Sequence, residues 1–149
     1  MAIRKLIASF DLCTGCEICT LVCSRRLAGG YNPRFARLRL ESKMDALVSD
    51  PIVCNQCDNA FCEKVCPVSA IKRENGIPVV VQDECIGCGQ CQKYCPRDVI
   101  VMMDKKASKC DLCGGDPLCV KNCPTGALTY CDHGDCDHGE SGEKRGEVK

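Results

Sequence analysis

The fold of this chain is decided by a cysteine motif whose clearest copy, residues 85–96, reads CIGCGQCQKYCP. Three cysteines stand three residues apart in it, a fourth follows four residues later, and proline comes next. Residues 13–24 read CTGCEICTLVCS, with the same spacing and with serine in place of the proline. Two further copies have a longer second gap: residues 54–67, CNQCDNAFCEKVCP, and residues 110–124, CDLCGGDPLCVKNCP. The chain is therefore built on four copies of one motif.

The cysteine content is the second feature that bounds the fold. Eighteen of the 149 residues are cysteine, and the chain has only three Phe, three Tyr and no Trp. Because so small an apolar core offsets the entropy of ordering the chain poorly, we expect bound metal to supply much of the folding free energy. No apolar run approaches the ~20 residues of a membrane-spanning helix, so we expect no direct insertion into a membrane.

Three chemistries use clustered cysteines: disulfides, zinc sites and iron–sulfur clusters. The first residues, MAIRKLIASF, hold an apolar run too short for a secretory signal, so we expect a cytoplasmic protein with reduced thiols. Zinc sites usually combine two separated cysteine pairs in one tetrahedron. Here three thiols lie close together and a fourth follows one helical turn later. In bacterial ferredoxins, cysteines with this spacing give three ligands to one [4Fe–4S] cube and the fourth to another. We therefore predict four [4Fe–4S] clusters as cofactors.

The motif cysteines supply the ligands that four complete cubes require. The predicted ligands are Cys13, Cys16, Cys19, Cys23, Cys54, Cys57, Cys62, Cys66, Cys85, Cys88, Cys91, Cys95, Cys110, Cys113, Cys119 and Cys123. With every iron capped, no corner is left to bind a substrate, and both histidines lie in the C-terminal tail. The sequence therefore predicts no catalytic residue and an electron-transfer protein that is not itself an enzyme.

The segments between the motifs predict an α+β fold with short strands and short helices. The strand candidates are residues 3–10, 35–41, 77–81 and 99–103. Asn75–Gly76 predicts a hairpin turn, we expect 99–103 to pair with 77–81, and residues 104–109 are expected to link the third and fourth motifs. The polar tail, residues 131–149, contains CDHG twice, with Cys131 and Cys136. Metal binding is one interpretation of the tail, and a disordered tail is the one we favour.

Charged residues near the motifs leave alternatives open. A lysine stands two residues after the third cysteine in three motifs, at Lys64, Lys93 and Lys121. These lysines either raise the cluster potentials or dock a partner, or they are solvated side chains on the outer face of a helical turn. We favour the solvated interpretation, because water and salt screen exposed charges. Arg37 and Arg39 either meet an acidic partner or face solvent from a strand.

The charge balance also bears on the partners. The formal net charge is +0 with neutral thiols. A cube with four thiolates carries about −2, so four cubes bring the protein to about −8. Such an anionic module favours basic docking patches on partner proteins and excludes a nucleic-acid-binding role.

The four motifs resemble those of the polyferredoxin electron-transfer subunits of molybdenum and tungsten oxidoreductases. Relatives in that family serve formate dehydrogenases, hydrogenases and carbon monoxide dehydrogenases. The resemblance covers residues 1–130 and includes YNPRFARLRL at 31–40, which is similar to a strand segment after the first motif in that family. The chain looks most like the small subunit of tungsten aldehyde oxidoreductases.

The resemblance implies two nested ferredoxin-like modules. Motifs one and four would form an outer module from residues 1–53 and 107–130, and motifs two and three would form an inner module from residues 54–106. Each cluster would take its fourth thiol from the partner motif. The implied ligand sets are Cys13, Cys16, Cys19 and Cys123 for cluster one, Cys110, Cys113, Cys119 and Cys23 for cluster two, Cys54, Cys57, Cys62 and Cys95 for cluster three, and Cys85, Cys88, Cys91 and Cys66 for cluster four.

The predicted function is an electron-transfer subunit whose four [4Fe–4S] clusters act as a wire. The resemblance implies a large catalytic subunit at one end, a tungsten- or molybdenum-pterin aldehyde or formate oxidoreductase. A second redox protein or a flavin subunit would stand at the other end. The alternatives are a free-standing multi-cluster ferredoxin or a subunit of a hydrogenase or carbon monoxide dehydrogenase system. A zinc-stabilised interaction module is the least favoured hypothesis.

Overall fold

The structure, a computed structural model, describes residues 4–45 and 47–131 and consists of short strands and helices between the cysteine loops. The strands are β1 (Lys5–Ala8), β2 (Arg39–Lys43), β3 (Val48–Ile52), β4 (Ile71–Glu74), β5 (Ile77–Val80), β6 (Val101–Met103), β7 (Lys106–Ser108) and β8 (Leu128–Cys131). The helices are α1 (Ile18–Ala28), α2 (Phe61–Lys64), α3 (Gln90–Lys93) and α4 (Leu118–Lys121), and single 3₁₀ turns cover Phe10–Leu12, Pro33–Phe35 and Leu112–Gly114. This small mixed architecture is consistent with the predicted ferredoxin-like α+β fold.

The strands of the described chain pair as two-stranded antiparallel ribbons. β1 pairs with β8, with Lys5 opposite Cys131 and Ala8 opposite Leu128, so the two ends of the described chain meet. The other ribbons are the hairpins β2–β3, β4–β5 and β6–β7. A two-stranded ribbon is marginally stable in water. Each ribbon must therefore be held by the elements against which it packs.

The hairpin predicted around residues 75–76 is confirmed. Asn75 and Gly76 have φ values of 50° and 83°. Left-handed backbone at both central positions is the conformation that a favoured two-residue hairpin turn requires. The strand expected at 77–81 is β5, and its partner is β4.

The predicted pairing of residues 99–103 with 77–81 is wrong. The strand in the first segment, β6, pairs with β7 instead. Residues 104–109, which we expected to be a plain link, contain the hairpin turn at Asp104 and Lys105, with φ values of 51° and 61°, followed by β7. Neither turn residue is glycine, so the composition carries no strong hairpin signal there. The predicted boundary between the inner and outer modules, at residues 106–107, falls within strand β7 of this hairpin. The division into two modules stays a prediction.

Two other predicted boundaries need correction. The strand expected at 35–41 begins only at Arg39, because Asn32 caps the preceding 3₁₀ turn: its Oδ1 accepts a hydrogen bond from the Arg34 N–H at 3.2 Å. The tail expected from residue 131 begins later, because Cys131 is the last residue of β8. The rest of the predicted tail, with Cys136 and both histidines, lies outside the described residues.

The sequence led us to expect only short helices, but one helix is longer. Helix α1 has 11 residues, whereas α2, α3 and α4 have 4 residues each. In those three motifs a proline follows the fourth cysteine, and helices end at or before the residue that precedes a proline. In the first motif that position is Ser24, whose buried Oγ donates a hydrogen bond to the Leu21 carbonyl and accepts one from the Asn32 N–H. The helix therefore continues to Gly29, where left-handed backbone ends it.

The buried side chains form two groups, each built around thiols. One group combines Cys19 and Cys119 with apolar residues such as Leu38, Leu112 and Leu128. The other combines Cys62 and Cys91 with apolar residues of β4 to β7. The core is thus organised around the cysteines. Over the ranges 4–45 and 47–131, no helix combines the length and apolar character needed to cross a membrane.

Candidate metal centres

Four cavities are each lined by four motif cysteines, three from one motif and the fourth from another. Cavity one holds Cys13, Cys16, Cys19 and Cys123, cavity two holds Cys110, Cys113, Cys119 and Cys23, cavity three holds Cys54, Cys57, Cys62 and Cys95, and cavity four holds Cys85, Cys88, Cys91 and Cys66. All of the predicted site residues are therefore brought together. The groupings are those that the family resemblance implies, and the binding of a cluster in each stays a prediction.

The helices explain why the third and fourth cysteines of a motif line different cavities. The third cysteines are buried on the four helices: Cys19, Cys62, Cys91 and Cys119. Each fourth cysteine follows four residues later, within α1 for Cys23 and just beyond the helix end for Cys66, Cys95 and Cys123. Helix α1 packs against α4, and α2 packs against α3. The fourth thiol of each motif therefore reaches the cavity lined by the first three thiols of the motif whose helix packs against its own.

Two glycines let the motif loops lie against neighbouring hairpins. Gly15 and Gly87 have left-handed φ values of 71° and 72°. A Cβ on Gly15 would lie 2.5 Å from Ser49 Oγ, and a Cβ on Gly87 would collide with the carbonyl oxygen of Lys105. Strands β3 and β7 thereby reach the walls of cavities one and four. Side chains at these glycines would push the ribbons away from the cavities.

Backbone N–H groups donate hydrogen bonds to three of the thiol sulfurs. The donors Arg37, Ala70 and Ala107 lie 3.3, 3.2 and 3.4 Å from the Sγ atoms of Cys23, Cys66 and Cys85, respectively. Such N–H dipoles stabilise negative charge on sulfur and contribute to the redox potential of a cluster.

Burial makes the third cysteines weak acids. It raises the pKa of Cys19 and Cys62 to about 11 and that of Cys119 to about 12. At Cys19, the other three thiols of cavity one add to this rise. Burial also raises the pKa of Cys91 and of Cys110. Such thiols keep their protons at neutral pH, so ligation must release protons and the metal must supply compensating positive charge.

The donor set and its spacing fit a cube better than a single ion. In the described part of the chain, no group of three or more Cys, His, Asp or Glu side chains is placed to hold one metal ion. A cube takes one thiol at each of four irons, so its ligands stand further apart than four ligands around one zinc. The cysteines present therefore fit [4Fe–4S] clusters, which supply one-electron redox chemistry when bound.

Arg37 and Arg39, for which we expected contact with an acidic partner or with solvent, form ion pairs within the chain. The Arg37 side chain is only 13% exposed and forms an ion pair with Asp111 at 3.0 Å. Its Nε also donates a hydrogen bond to Ser108 Oγ at 2.8 Å. Arg39 pairs with Glu41 and Asp98. Both arginines thus tie the segment after the first motif to other parts of the chain.

The three lysines that follow a third cysteine are exposed, as the solvated interpretation requires. Lys121 pairs with Asp116 at 2.5 Å. Lys93 lies over the ring of Tyr94, with Nζ 5.6 Å from the ring centroid.

A buried polar pair was not anticipated from the sequence. Lys109 and Gln56 are 4% and 5% exposed. The Lys109 ammonium donates hydrogen bonds to Gln56 Oε1 at 2.7 Å and to the Cys110 carbonyl at 3.1 Å. Gln56 Nε2 donates to the same carbonyl at 3.0 Å. A lone lysine before a cysteine and a glutamine inside a motif carry no periodic signal, so only the structure shows the pair.

Two of the motif thiols belong to exposed residues, Cys16 in cavity one and Cys88 in cavity four. The other motif cysteines are buried or half-buried. Next to Cys88, Ile86 is 63% exposed. Cavities one and four are therefore open to contact with other molecules at their second cysteine.

Two family models match the chain. The LdpA Fe-S cluster-binding domain matches residues 51–108. A 4Fe-4S binding domain matches residues 10–29 and residues 107–126, on either side of the first match.

Several curated proteins are similar over most of the chain. An uncharacterized ferredoxin of Methanocaldococcus jannaschii is 40% identical over 133 residues, covering 89% of this chain and 75% of the relative. Electron transport protein HydN of Escherichia coli K12 is 34% identical and is aligned over 95% of both chains. The polyferredoxin-like subunit of the aliphatic sulfonate oxidoreductase of Pyrococcus furiosus is 36% identical, covering 76% of this chain and 67% of the subunit.

A similar solved structure is a chain of the active site complex BamBC of benzoyl coenzyme A reductase, in a complex with zinc. It is 27% identical with a TM-score of 0.53, and the match covers 97% of this chain and 84% of that one.

Proposed function

The chain belongs to the ferredoxin-type iron–sulfur electron transport proteins, and on that premise we propose that its four cavities hold four [4Fe–4S] clusters that pass single electrons between two partner proteins. The observation that carries the proposal is the grouping of four thiols around every cavity. Each group joins two motifs, as cube ligation in bacterial ferredoxins does. The protein supplies ligands, hydrogen bonds and burial, and it supplies no catalytic residue.

The packing of the helices supports a linear order of the four clusters. Cavities one and two share α1 and α4, and cavities three and four share α2 and α3. Lys109 lines cavity three, and its Nζ donates a hydrogen bond to the carbonyl of Cys110, a cavity-two cysteine, at 3.1 Å. The proposed order is therefore one, two, three, four. Within each helix pair the rise between ligands and the size of a cube place neighbouring clusters on the order of 10 Å apart.

The exposed thiols support electron entry and exit at the two ends. Cys16 belongs to cavity one and Cys88 to cavity four, so each terminal cluster would have one ligand at the surface. A partner's redox centre has to come close to such a ligand, because protein around a cluster insulates it. We propose that one partner docks at Cys16 and the other at Cys88.

The catalytic partner that we propose is a large tungsten- or molybdenum-pterin subunit, an aldehyde or formate oxidoreductase. Two similarities support a catalytic partner in general: one relative is a subunit of an oxidoreductase, and one solved neighbour belongs to a reductase complex. The pterin metal and the substrate rest on the family resemblance alone. The second partner would be another redox protein or a flavin subunit. A free-standing ferredoxin is the second candidate, because one relative has that name.

Metal analysis of the protein, produced and purified without oxygen, tests the cofactor. We expect about sixteen irons and about sixteen acid-labile sulfides per chain, and signals of [4Fe–4S]⁺ in electron paramagnetic resonance after reduction with dithionite. A colourless protein in which zinc replaces the iron after anaerobic reconstitution would overturn the proposal.

Capture of a tagged chain from its native host tests the partner. The proposed complex predicts a large subunit that carries pterin together with tungsten or molybdenum, in fixed proportion to the chain. A tagged chain that retains all its iron and elutes alone would instead favour the free-standing ferredoxin.

A further inference from the structure

The buried ammonium of Lys109 has no acidic partner among the residues that the structure describes. Its hydrogen bonds go to the neutral Gln56 and to a backbone carbonyl. No carboxylate of the described chain forms an ion pair with it. Lysine is almost never fully buried without a partner, because an uncompensated charge is costly in a low dielectric. The position of Lys109 therefore calls for a negative group that thiol side chains alone do not provide.

Lys109 lies between two of the cysteine cavities. Its side chain lines cavity three, together with Cys54 and Cys62. Its ammonium donates to the carbonyl of Cys110, which is a cavity-two cysteine. Gln56, which stands between the cavity-three cysteines Cys54 and Cys57 in sequence, donates to the same Cys110 carbonyl at 3.0 Å. One buried cation thus lies between the inner pair of cavities, three and four, and the outer pair, one and two.

We propose that Lys109 is a charge-setting residue that raises the reduction potential of the cluster in cavity three and, to a smaller extent, that of the cluster in cavity two. The inference rests on the proposed function, because it needs clusters in these cavities. Reduction adds one electron to a [4Fe–4S]²⁺ core and takes its tetrathiolate form from about −2 to about −3. A fixed positive charge nearby stabilises the added electron, and burial leaves that charge unscreened by water. The electron comes from the partner protein, or from dithionite in the test below.

A purely structural role for Lys109 makes a different prediction. Lys109 and Gln56 both bond to the Cys110 carbonyl and thereby join the loop of the second motif to the start of the fourth. If this tie were their only role, substitutions would lower stability and leave the potentials of the assembled clusters unchanged. The two roles can therefore be separated by measuring potentials and iron content in the same samples.

Four variants separate the electrostatic role of Lys109 from its structural role. Lys109→Met removes the ammonium and keeps an unbranched side chain, and Lys109→Arg keeps the charge. Gln56→Glu leaves Lys109 in place and neutralises it with a carboxylate. The matched control is Lys64→Met, because Lys64 follows Cys62 of the same cavity by two residues and is exposed.

The experiment is an anaerobic redox titration of the holo-proteins at one pH, followed by electron paramagnetic resonance. At the solution potential that half-reduces the affected wild-type cluster, we expect Lys109→Met and Gln56→Glu to lower its reduced-to-oxidised ratio about tenfold or more. The midpoint potential of a second cluster should shift less. The midpoint potentials of Lys109→Arg and Lys64→Met should stay close to those of the wild type. Wild-type midpoints in both Lys109→Met and Gln56→Glu at full iron content would overturn the inference, as would an equal shift in Lys64→Met.

Two controls keep the result interpretable. If Lys109→Met does not assemble its clusters, Gln56→Glu decides, because it retains the lysine. The iron and sulfide content of the wild type is measured separately. A wild type without four clusters contradicts the proposed function, whereas full clusters with unmoved midpoints contradict only the role of Lys109.

Discussion

The helices that carry the third cysteines of the first and second motifs differ in length. Helix α1 continues for five residues beyond Cys23, whereas α2 ends before Cys66. The residue after the fourth cysteine accounts for the difference, since Ser24 can stay in a helix and Pro67 cannot. The thiol groupings are nevertheless equivalent in the two cases. Cysteine spacing therefore fixes where the thiols go, while the following residue decides how much scaffold surrounds them.

The polar contacts around the two cluster pairs differ as well. Beside cavity two, Asp111 is held by two arginines, Arg26 and Arg37. Burial opposes ionisation of Asp111, but Arg37 and the Cys113 N–H outweigh it and lower the pKa of the carboxyl group. Beside cavity three, the buried cation Lys109 bonds to the neutral Gln56 side chain and to the Cys110 carbonyl. Among the described residues, cavity two thus has a carboxylate held by arginines beside it, and cavity three has a buried ammonium that forms no ion pair.

Metal removal should have the largest effect, and it should affect both pairs. Because the buried core is organised around thiols, stripping iron with a chelator under anaerobic conditions should abolish most of the secondary-structure signal in circular dichroism. Adding iron and sulfide back should restore it. An apo-protein that still unfolds in one cooperative thermal transition would show that apolar packing holds the fold without metal.

Substitutions of the residue after the fourth cysteine should change the stability of the first and second motifs by different amounts. Ser24→Pro places a proline inside α1 and should destabilise the protein by about 3 kcal/mol or more. The mirror change, Pro67→Ser, falls outside α2 and should cost less than about 1 kcal/mol. The measurement is the denaturant midpoint for loss of the cluster absorbance. Equal shifts in the two variants would contradict the account of helix length.

Loss of the Arg37 side chain should have a moderate effect on the outer pair. Arg37→Ala removes a half-buried ion pair and a hydrogen bond to Ser108, and we expect a loss of about 1–3 kcal/mol in unfolding free energy. The control is Lys121→Ala, whose ion pair is exposed and should contribute about 0–1 kcal/mol. Denaturant unfolding of both holo-proteins makes the comparison. A cost for Lys121→Ala equal to that for Arg37→Ala would remove the distinction between buried and exposed pairs.

The smallest expected effect is the pH dependence of iron binding, which the two cluster pairs should share. A thiol must lose its proton to bind iron. Below the pKa of the thiol, iron binding therefore releases a proton, and the affinity for iron falls as the pH falls. For each proton released the decrease is about tenfold per pH unit. Burial raises the pKa of Cys119 in cavity two to about 12 and that of Cys62 in cavity three to about 11. On acidification in the presence of a chelator, both cluster pairs should therefore lose iron progressively, as followed by the loss of cluster absorbance. Iron retention that does not change with pH would contradict ligation by these buried thiols.

Spacing rules predict this site better than they predict the fold between the motifs. The set of ligand cysteines follows from their spacing, which is a local property of the chain, whereas the pairing of motifs around each cavity was implied by the family resemblance. The β6–β7 hairpin was missed, since its turn at Asp104–Lys105 contains no glycine and its strands have three residues each. Lys109 and Gln56 were missed for another reason: residues 53 positions apart in sequence meet only after the chain has folded. Long-range pairing of polar side chains has no periodic signature.

The central claim is that each cluster is bound by two motifs, and iron-edge anomalous diffraction from crystals of Cys66→Ala tests it most directly. Cys66 lines cavity four with Cys85, Cys88 and Cys91. The account predicts a vacancy or a three-iron core in cavity four and an intact four-iron cluster in cavity three. An intact cluster in cavity four, with damage beside Cys54, Cys57 and Cys62, would mean that each motif closes on its own cluster and would contradict the account.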